Sequence, residues 1–356
     1  MPRLRFAHIA KTSKRGTPNS AGDASRRDER DDNRIETSAR YGAPWLARTQ
    51  MKVGIPEQRI QRQRLGTRSR DVLTFALFVA PNFLAIGLFS YWPLVRNVWL
   101  SFTYWDMIAP EPLWIGISNW LDVFTSATFL TVSKNTLTFT VFSVGSTLLL
   151  ALGAALLLHQ PLRLRNVVRA SLFAPAILPG SAVALVWTFL YAPNFGLVSQ
   201  AAVAAGLPKV RYLNDPVWAM PAILLVVIWR RVGYDAVIFL AGLQGISREL
   251  YEAARVDGAN AFQRFRHVTV PGLSPVAFFL LVTSILASFQ SFDVIRVMTS
   301  GGPVIATTTL IYQVFQEAFV AFNAGRAAVY ATILFALMLS VTLLQMRLLE
   351  RRVTYE

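Results

Sequence analysis

Three charged side chains stand in the middle of a long apolar segment. Arg230, Arg231 and Asp235 interrupt the stretch Met220–Leu243. Charges inside an apolar helix are costly in lipid, so they pair with one another or face a polar path. Arg231 and Asp235 are four residues apart and can pair on one helical face. Arg230 has no charged residue three or four positions away. It needs a partner from another helix, a wet cavity or an anionic solute.

Two interpretations of these charges stay open. In the first they are neutralised structurally, at a contact with a second membrane subunit or by reaching towards a headgroup. In the second the arginines line a path for an anionic solute, because the planar guanidinium recognises phosphate well. Asp293 and Arg296 are three residues apart. We expect them to form a structural pair or a gate contact rather than a ligand site.

Other kinds of chemistry lack the residues that they need. The chain has no cysteine, which excludes disulfides, thiolate metal sites and a cysteine nucleophile. His8, His159 and His267 lie far apart, so we expect no metal centre. The sequence has neither a Gly-x-x-x-x-Gly-Lys-Ser/Thr phosphate loop nor a His-Glu-x-x-His motif. We therefore expect no cofactor in this chain.

The composition indicates a membrane protein. Of the 356 residues, 54% are apolar and 15% are charged, whereas about 25% are charged in a typical soluble domain. Residues 1–70 carry 17 Lys and Arg against 7 Asp and Glu. Such a segment cannot bury enough apolar surface to offset its ordering entropy. We interpret residues 1–70 as a disordered cytoplasmic tail that faces anionic lipid rather than nucleic acid, and residues 71–356 as the membrane domain.

Six stretches are long and apolar enough to cross a bilayer as helices. They are Val72–Tyr91, Leu137–Leu158, Ser171–Tyr191, Met220–Leu243, Pro275–Phe292 and Ala327–Met346. If the basic tail is cytoplasmic, the internal segments carry 10 Lys and Arg in 53 residues and the external segments carry 6 in 107. The positive-inside rule then places both termini in the cytoplasm. The sequence predicts an all-α, multi-pass membrane protein with about six spans.

The third of these spans contains Pro179–Gly180. Proline leaves a helical carbonyl unpaired and bends the helix, so this dipeptide predicts a kink or a broken turn. Prolines are common in membrane helices, and a role in gating stays open as the alternative.

The segment between the fourth and fifth spans, residues 244–274, contains signals for two short helices. Ser247 is a good N-cap, and Gly258 can adopt the left-handed geometry that ends a helix. Asn260 can begin a capping box, and we expect Pro271 to end the second helix. The first helix has a face of mostly small residues at i, i+3, i+4, i+7 spacing: Leu250, Ala253, Ala254 and Asp257. A simple connector needs none of these features, so the pattern favours a rigid knob that docks into another protein.

At these residues the sequence resembles a known family. Glu252-Ala253-Ala254, Asp257-Gly258-Ala259 and Pro271 are similar to the EAA signature of the permease subunits of ABC importers. The resemblance is closest to the carbohydrate-uptake branch, which contains the maltose and glycerol-3-phosphate permeases, and it covers roughly residues 72–356. Further matching stretches are Asn194–Leu197, Leu240–Gln244, Phe292-Asp293, Thr299–Pro303, Ala306–Tyr312 and Leu349–Tyr355.

The resemblance implies an ATP-driven importer of a sugar or a glycerol-3-phosphate-like solute, in which this chain is a transport subunit without a catalytic site of its own. It implies that the EAA loop, residues 244–274, couples the chain to a cytoplasmic ABC ATPase dimer, which binds the ATP. The coupling residues would be Glu252, Ala253, Ala254, Asp257, Gly258 and Pro271. A second permease subunit, an extracytoplasmic solute-binding protein and a location in the bacterial inner membrane follow from the same resemblance. Arg230, Arg231 and Asp235 would then be candidates for the translocation pathway.

The alternative function is a secondary transporter or channel that works without ATP. Such proteins usually show internal repeats or ionisable relays within their spans, whereas five of the six predicted spans here contain no charge. A membrane scaffold without transport is a third interpretation, and the kinked spans and the docking loop argue against it.

Overall fold

The computed structural model describes residues 57–161, 163–206 and 208–349, apart from the side chains of residues 57–71, 348 and 349. It distinguishes two units, residues 1–79 and 80–356. The predicted tail as far as residue 56 lies outside the described residues. The predicted boundary at residue 70 falls inside the first helix, Glu57–Ile86.

Most of the described chain is helical, which confirms the predicted all-α class. The helices are α1 (Glu57–Ile86), α2 (Trp92–Leu100), α3 (Ser118–Thr125), α4 (Ala127–His159), α5 (Arg165–Ile177), α6 (Gly180–Leu190), α7 (Leu197–Ala204), α8 (Ala219–Gly245), α9 (Arg248–Val256), α10 (Ala261–Arg264), α11 (Val270–Gly272), α12 (Ser274–Phe289), α13 (Asp293–Met298), α14 (Leu310–Phe315) and α15 (Ala324–Leu349). Three π-helical turns, Gly87–Tyr91, Phe265–Thr269 and Gln316–Val320, extend helices. Strands β1 (Thr103–Tyr104) and β2 (Leu113–Trp114) form one short antiparallel pair.

Four helical stretches within the described residues are long and apolar enough to cross a membrane. They are Val72–Leu100, Ala127–His159, Ser274–Met298 and Ala324–Arg347, and they contain the first, second, fifth and sixth predicted spans. Helices α5 and α6 form a bent pair over the third predicted span, and they make a fifth crossing if the pair is counted as one.

The third predicted span is broken where the sequence predicts it. Helix α5 ends at Ile177, α6 begins at Gly180, and the two axes meet at 101°. Leu178 is extended, with ψ 141°, because the ring of Pro179 disfavours helical geometry in the residue before it. The predicted broken turn is therefore confirmed, and α6 becomes a separate half-helix.

Helix α8 covers the fourth predicted span. Its 27 residues extend over about 40 Å, which is enough to cross a bilayer. It differs from the four apolar stretches because it contains three charged residues, Arg230, Arg231 and Asp235. It packs along α4 and α5. Gly233 lies so close to the backbone of Leu172 in α5 that a Cβ atom there would overlap it. Two buried apolar clusters surround α8, one with α6 and α13 and one with α4 and α12, and they position its charged side chains.

Candidate functional site

The first half of the EAA loop is a capped helix with a glycine elbow. The Ser247 hydroxyl accepts a hydrogen bond from the Glu249 amide at 3.2 Å, at the start of α9. At its end the Ala259 amide donates to the Ala254 carbonyl at 2.9 Å, and Gly258 has φ +78°. This is a Schellman ending, in which the residue after the cap must adopt left-handed geometry. The predicted N-cap and elbow are both confirmed.

The second half of the loop begins as predicted and ends differently. Asn260 and Gln263 form the reciprocal capping box at the start of α10. Pro271 does not end the helix, which corrects the prediction from the sequence: the helical path continues to α12. A π-helical turn brings the Val270 amide to the carbonyl five residues back, on Phe265. This wider spacing just before the proline accommodates its ring and its missing amide hydrogen.

The EAA residues lie on an exposed surface. Glu252, Ala253, Asp257 and Gly258 are exposed, Pro271 is exposed, and Ala254 is half-buried. A hydrogen bond of 3.0 Å between the Tyr251 and Thr269 hydroxyls joins the two halves of the loop. The elbow therefore holds a preformed shape rather than a loose connection.

Two apolar side chains of the loop were missed by sequence reasoning. Val256 is 87% exposed and Phe262 is 69% exposed, on either side of the elbow. The sequence does contain a signal for them, because large apolar residues in a polar segment between membrane spans are candidates for contact with a partner protein.

The first ion pair of α8 is the predicted one. The Nε of Arg231 lies 3.5 Å from Oδ2 of Asp235, one turn later. Asp235 is fully buried. The Ser284 hydroxyl of α12 accepts from Nη2 of Arg231 and donates to Asp235, both at 3.2 Å. Arg231 is thus neutralised within its own helix and tied to a neighbouring one.

The second ion pair joins two helices. Nη1 of Arg230 lies 3.3 Å from Oδ2 of Asp293, at the start of α13. Of the two roles predicted for Asp293 and Arg296, the structural pair is therefore wrong, and the gate contact stays a prediction. The Arg296 guanidinium stacks over the Phe315 ring at 4.9 Å and donates to the Tyr312 hydroxyl at 3.4 Å. Packing of α13 against α8 brings a better partner to Asp293 than its own helix offers.

The start of the half-helix α6 touches this second pair. A Cβ atom at Gly180 would overlap both the Asp293 carboxylate and the Arg230 guanidinium. A larger residue there would push these two charged side-chain ends aside. The break at Pro179–Gly180 thus brings three helices together around one ion pair.

Both arginines face a polar cavity of about 110 Å³. Its polar lining comes from α4, α8, α12, the turn before α13 and the start of α13: Ser143, Thr147, Arg230, Arg231, Ser284, Ser288, Gln290, Ser291 and Asp293. The structure brings Arg230 and Arg231 together here, while Asp235 is buried and does not line the cavity. No group of three or more His, Asp or Glu in the described residues is placed to hold a metal ion.

Comparisons with known proteins agree with this architecture. Residues 147–355 match the family model described as "Binding-protein-dependent transport system inner membrane component". The sn-glycerol-3-phosphate transport system permease protein UgpA of Yersinia pestis bv. Antiqua (strain Antiqua) is 33% identical over 281 residues, 79% of this chain and 95% of the relative. The sulfoquinovosyl glycerol transport system permease protein SmoG of Agrobacterium fabrum (strain C58 / ATCC 33970) is 32% identical over 84% of this chain and 98% of its own length.

Among solved structures, one similar chain comes from a bacterial ABC transporter involved in the import of the acidic polysaccharide alginate. It has a TM-score of 0.70 and 25% identity, and the match covers 82% of this chain and all of that one. These findings favour the importer permease over the secondary transporter or channel. The chain therefore belongs to the family of binding-protein-dependent transport system inner membrane components, and it is a membrane permease subunit of an ABC importer.

Proposed function

We propose that this chain moves an anionic, polyhydroxylated solute across the bacterial inner membrane, driven by a partner ATPase that docks on the EAA loop. The observation that carries the proposal is the pair of arginines at the polar cavity inside an otherwise apolar set of helices. A neutral solute needs no guanidinium, whereas phosphate, sulfonate and carboxylate groups are recognised by one.

The solutes named for the relatives support an anionic class. Glycerol 3-phosphate, sulfoquinovosyl glycerol and the acidic polysaccharide alginate each carry an anionic group on a polyhydroxylated body. Arg230 and Arg231 would line the pathway of such a solute, and Asp235 would hold Arg231 in place. The cavity is too small for a whole sugar, so it would receive the charged end of the solute.

The EAA loop is the proposed site of coupling. Glu252, Ala253, Ala254, Asp257 and Gly258 would contact the ATPase, and the exposed Val256 and Phe262 would add apolar contact area. Pro271 would act through the helical path that runs on into α12. This continuity gives a rigid connection by which movement of the loop reaches Ser284 and Ser288 at the cavity.

The remaining partners follow from the family. A binding-protein-dependent component requires a solute-binding protein on the outer side. We infer in addition a second permease subunit and an ABC ATPase dimer that binds the ATP, with both termini and the EAA loop in the cytoplasm. The density of Lys and Arg in the internal segments supports this orientation.

Co-purification tests the coupling part of the proposal. The tagged chain is co-expressed with its partner subunits, and the ATPase that it retains is measured. We expect the charge-reversed variant Glu252→Lys/Asp257→Lys to insert normally and to lose the ATPase. The matched control, Glu111→Lys/Asp122→Lys, reverses two exposed carboxylates outside the loop and should retain it. Normal association and uptake in the loop variant would contradict the assignment.

A further inference from the structure

The two adjacent arginines of α8 hold their counter-ions in different ways. Asp235, the partner of Arg231, is fully buried and also receives the hydrogen bond of Ser284. In the pair of Arg230 with Asp293, the side chains are 32% and 39% exposed, and both line the cavity. Both arginines face the cavity, but the counter-ion of Arg231 is enclosed in protein, whereas the counter-ion of Arg230 is open to whatever occupies the cavity.

Asp293 has other polar partners available if its ion pair with Arg230 breaks. Its Oδ1 accepts a hydrogen bond from the Val294 amide at 2.9 Å, which does not depend on the arginine. With more than a third of the side chain exposed, the other oxygen can take up water from the cavity. Asp235 lacks this option, because it is sealed between α8 and α12.

We propose that Asp293 is an exchangeable counter-ion that occupies Arg230 in the solute-free state, and that an anionic group of the solute takes its place. Arg231 keeps Asp235 throughout. This inference rests on the proposed function and adds to it a specificity residue, since Asp293 makes entry to the Arg230 site conditional on a negative charge.

The physical reason is the cost of an unpaired guanidinium. A guanidinium that is left without a counter-ion between membrane helices is strongly unfavourable, because the low-dielectric surroundings do not solvate its charge. Exchange of one anion for another avoids that cost at Arg230. A neutral hydroxyl offers a hydrogen bond but no charge, so it cannot displace the carboxylate. Asp293 thus rejects neutral solutes that would otherwise fit.

The size of the cavity fits this exchange. A volume of about 110 Å³ has room for a few waters or for one compact anionic group. The neighbouring Ser288, Gln290 and Ser291 also line it and supply hydroxyl and amide groups. The planar fork of Arg230 can bind two oxygens of such a group at once.

The absence of cysteine from the chain permits a direct test. Ser291→Cys places one thiol in the cavity lining, in the full chain assembled with its partners in membrane vesicles. Its rate of modification is measured with a negatively charged and a positively charged methanethiosulfonate reagent. We expect Asp293→Asn to raise the rate ratio of the negative to the positive reagent by roughly tenfold, the size of effect of one nearby charge. Arg230→Gln should lower the ratio below that of the Ser291→Cys parent.

Protection by small solutes completes the test. We expect sn-glycerol 3-phosphate to slow the modification in the Ser291→Cys parent, whereas glycerol should have no effect there. In the Asp293→Asn variant, a lower concentration of sn-glycerol 3-phosphate should be enough to slow it. Glu111→Gln, which removes one exposed carboxylate outside the cavity, should leave every rate unchanged. Equal rates with and without Asp293, or equal protection by glycerol and its phosphate, would overturn the exchange.

This outcome is separable from that of the coupling experiment. If Arg230→Gln lowers the preference for the negative reagent but Asp293→Asn leaves the rates unchanged, the exchange is wrong and the import of an anionic solute stands. If the preference is present and the ATPase does not associate through the EAA loop, the coupling assignment fails instead.

Discussion

The EAA loop and the polar cavity are built in different ways. In the loop, the capping and elbow hydrogen bonds join residues two to five positions apart in the sequence. The hydrogen bond between the Tyr251 and Thr269 hydroxyls joins residues 18 positions apart. In the cavity, Arg230 reaches Asp293 over 63 positions, and Ser284 reaches Asp235 over 49. The loop is therefore a local structure, and a substitution in a single turn can disrupt it. The cavity depends on the packing of several helices and responds to changes in charge and volume.

The largest expected effect is at the elbow of the loop. Gly258→Pro forces φ near −65°, whereas the native φ is +78°, and it removes the amide that donates to Arg255. We expect the ATPase to be lost from the purified complex while membrane insertion is unchanged. Gly206→Pro is the matched control, because Gly206 also has φ +80° in open space. Loss of the ATPase in both variants would show a general folding defect and would contradict a local role for the elbow.

The next effect distinguishes the two arginines. Arg231→Ala leaves Asp235 buried without its partner, at a cost of about 3–5 kcal/mol, and we expect lower membrane abundance. Asp235→Ala added to it should restore part of that abundance, because the orphaned charge is removed. Arg230→Ala, at the adjacent position, should leave membrane abundance unchanged and weaken transport of an anionic solute. Quantitative blotting measures the membrane abundance of each variant, and initial uptake rates measure its transport. Equal losses of abundance for the two arginine variants would refute the distinction.

A smaller effect is expected where the half-helix α6 meets the open ion pair. Gly180→Ala places a methyl group against the charged ends of Asp293 and Arg230, which must move aside, and overpacking that is relieved in this way costs about 1 kcal/mol, the lower end of the usual range. We expect a lower Tm of the purified complex. Gly145→Ala in α4, where a Cβ meets open space, should leave the Tm unchanged or slightly higher. An unchanged Tm for Gly180→Ala would mean that the contact of α6 with the ion pair carries no constraint.

Much of the loop could be predicted because its signals act over short distances. Ser247, Gly258 and Asn260 each specify a bond or a backbone angle within a few residues, and each prediction is confirmed. Pro271 was predicted wrongly because the rule that proline ends a helix assumes four-residue hydrogen bonding. The π-helical turn before it changes that spacing, and no residue type marks such a turn in the sequence.

The cavity could be predicted only in part. The spacing of Arg231 and Asp235 on one helix determined their pair, and the missing local partner of Arg230 correctly indicated that its partner lies elsewhere. The identity of that partner was out of reach, since Asp293 had a nearer basic residue in Arg296. Distance along the chain is a poor guide once helices pack against one another.

The sequence by itself determined the membrane-spanning helices, the break at Pro179–Gly180 and the shape of the elbow, because hydropathy, proline geometry and capping act within a few turns of the chain. Only the tertiary structure decided which carboxylate neutralises Arg230 and where a polar cavity opens. Both depend on the crossing of α6, α8, α12 and α13, which is set by side-chain packing between residues distant in sequence. Ion pairs extend over only a few ångströms, so helix packing selects the partners.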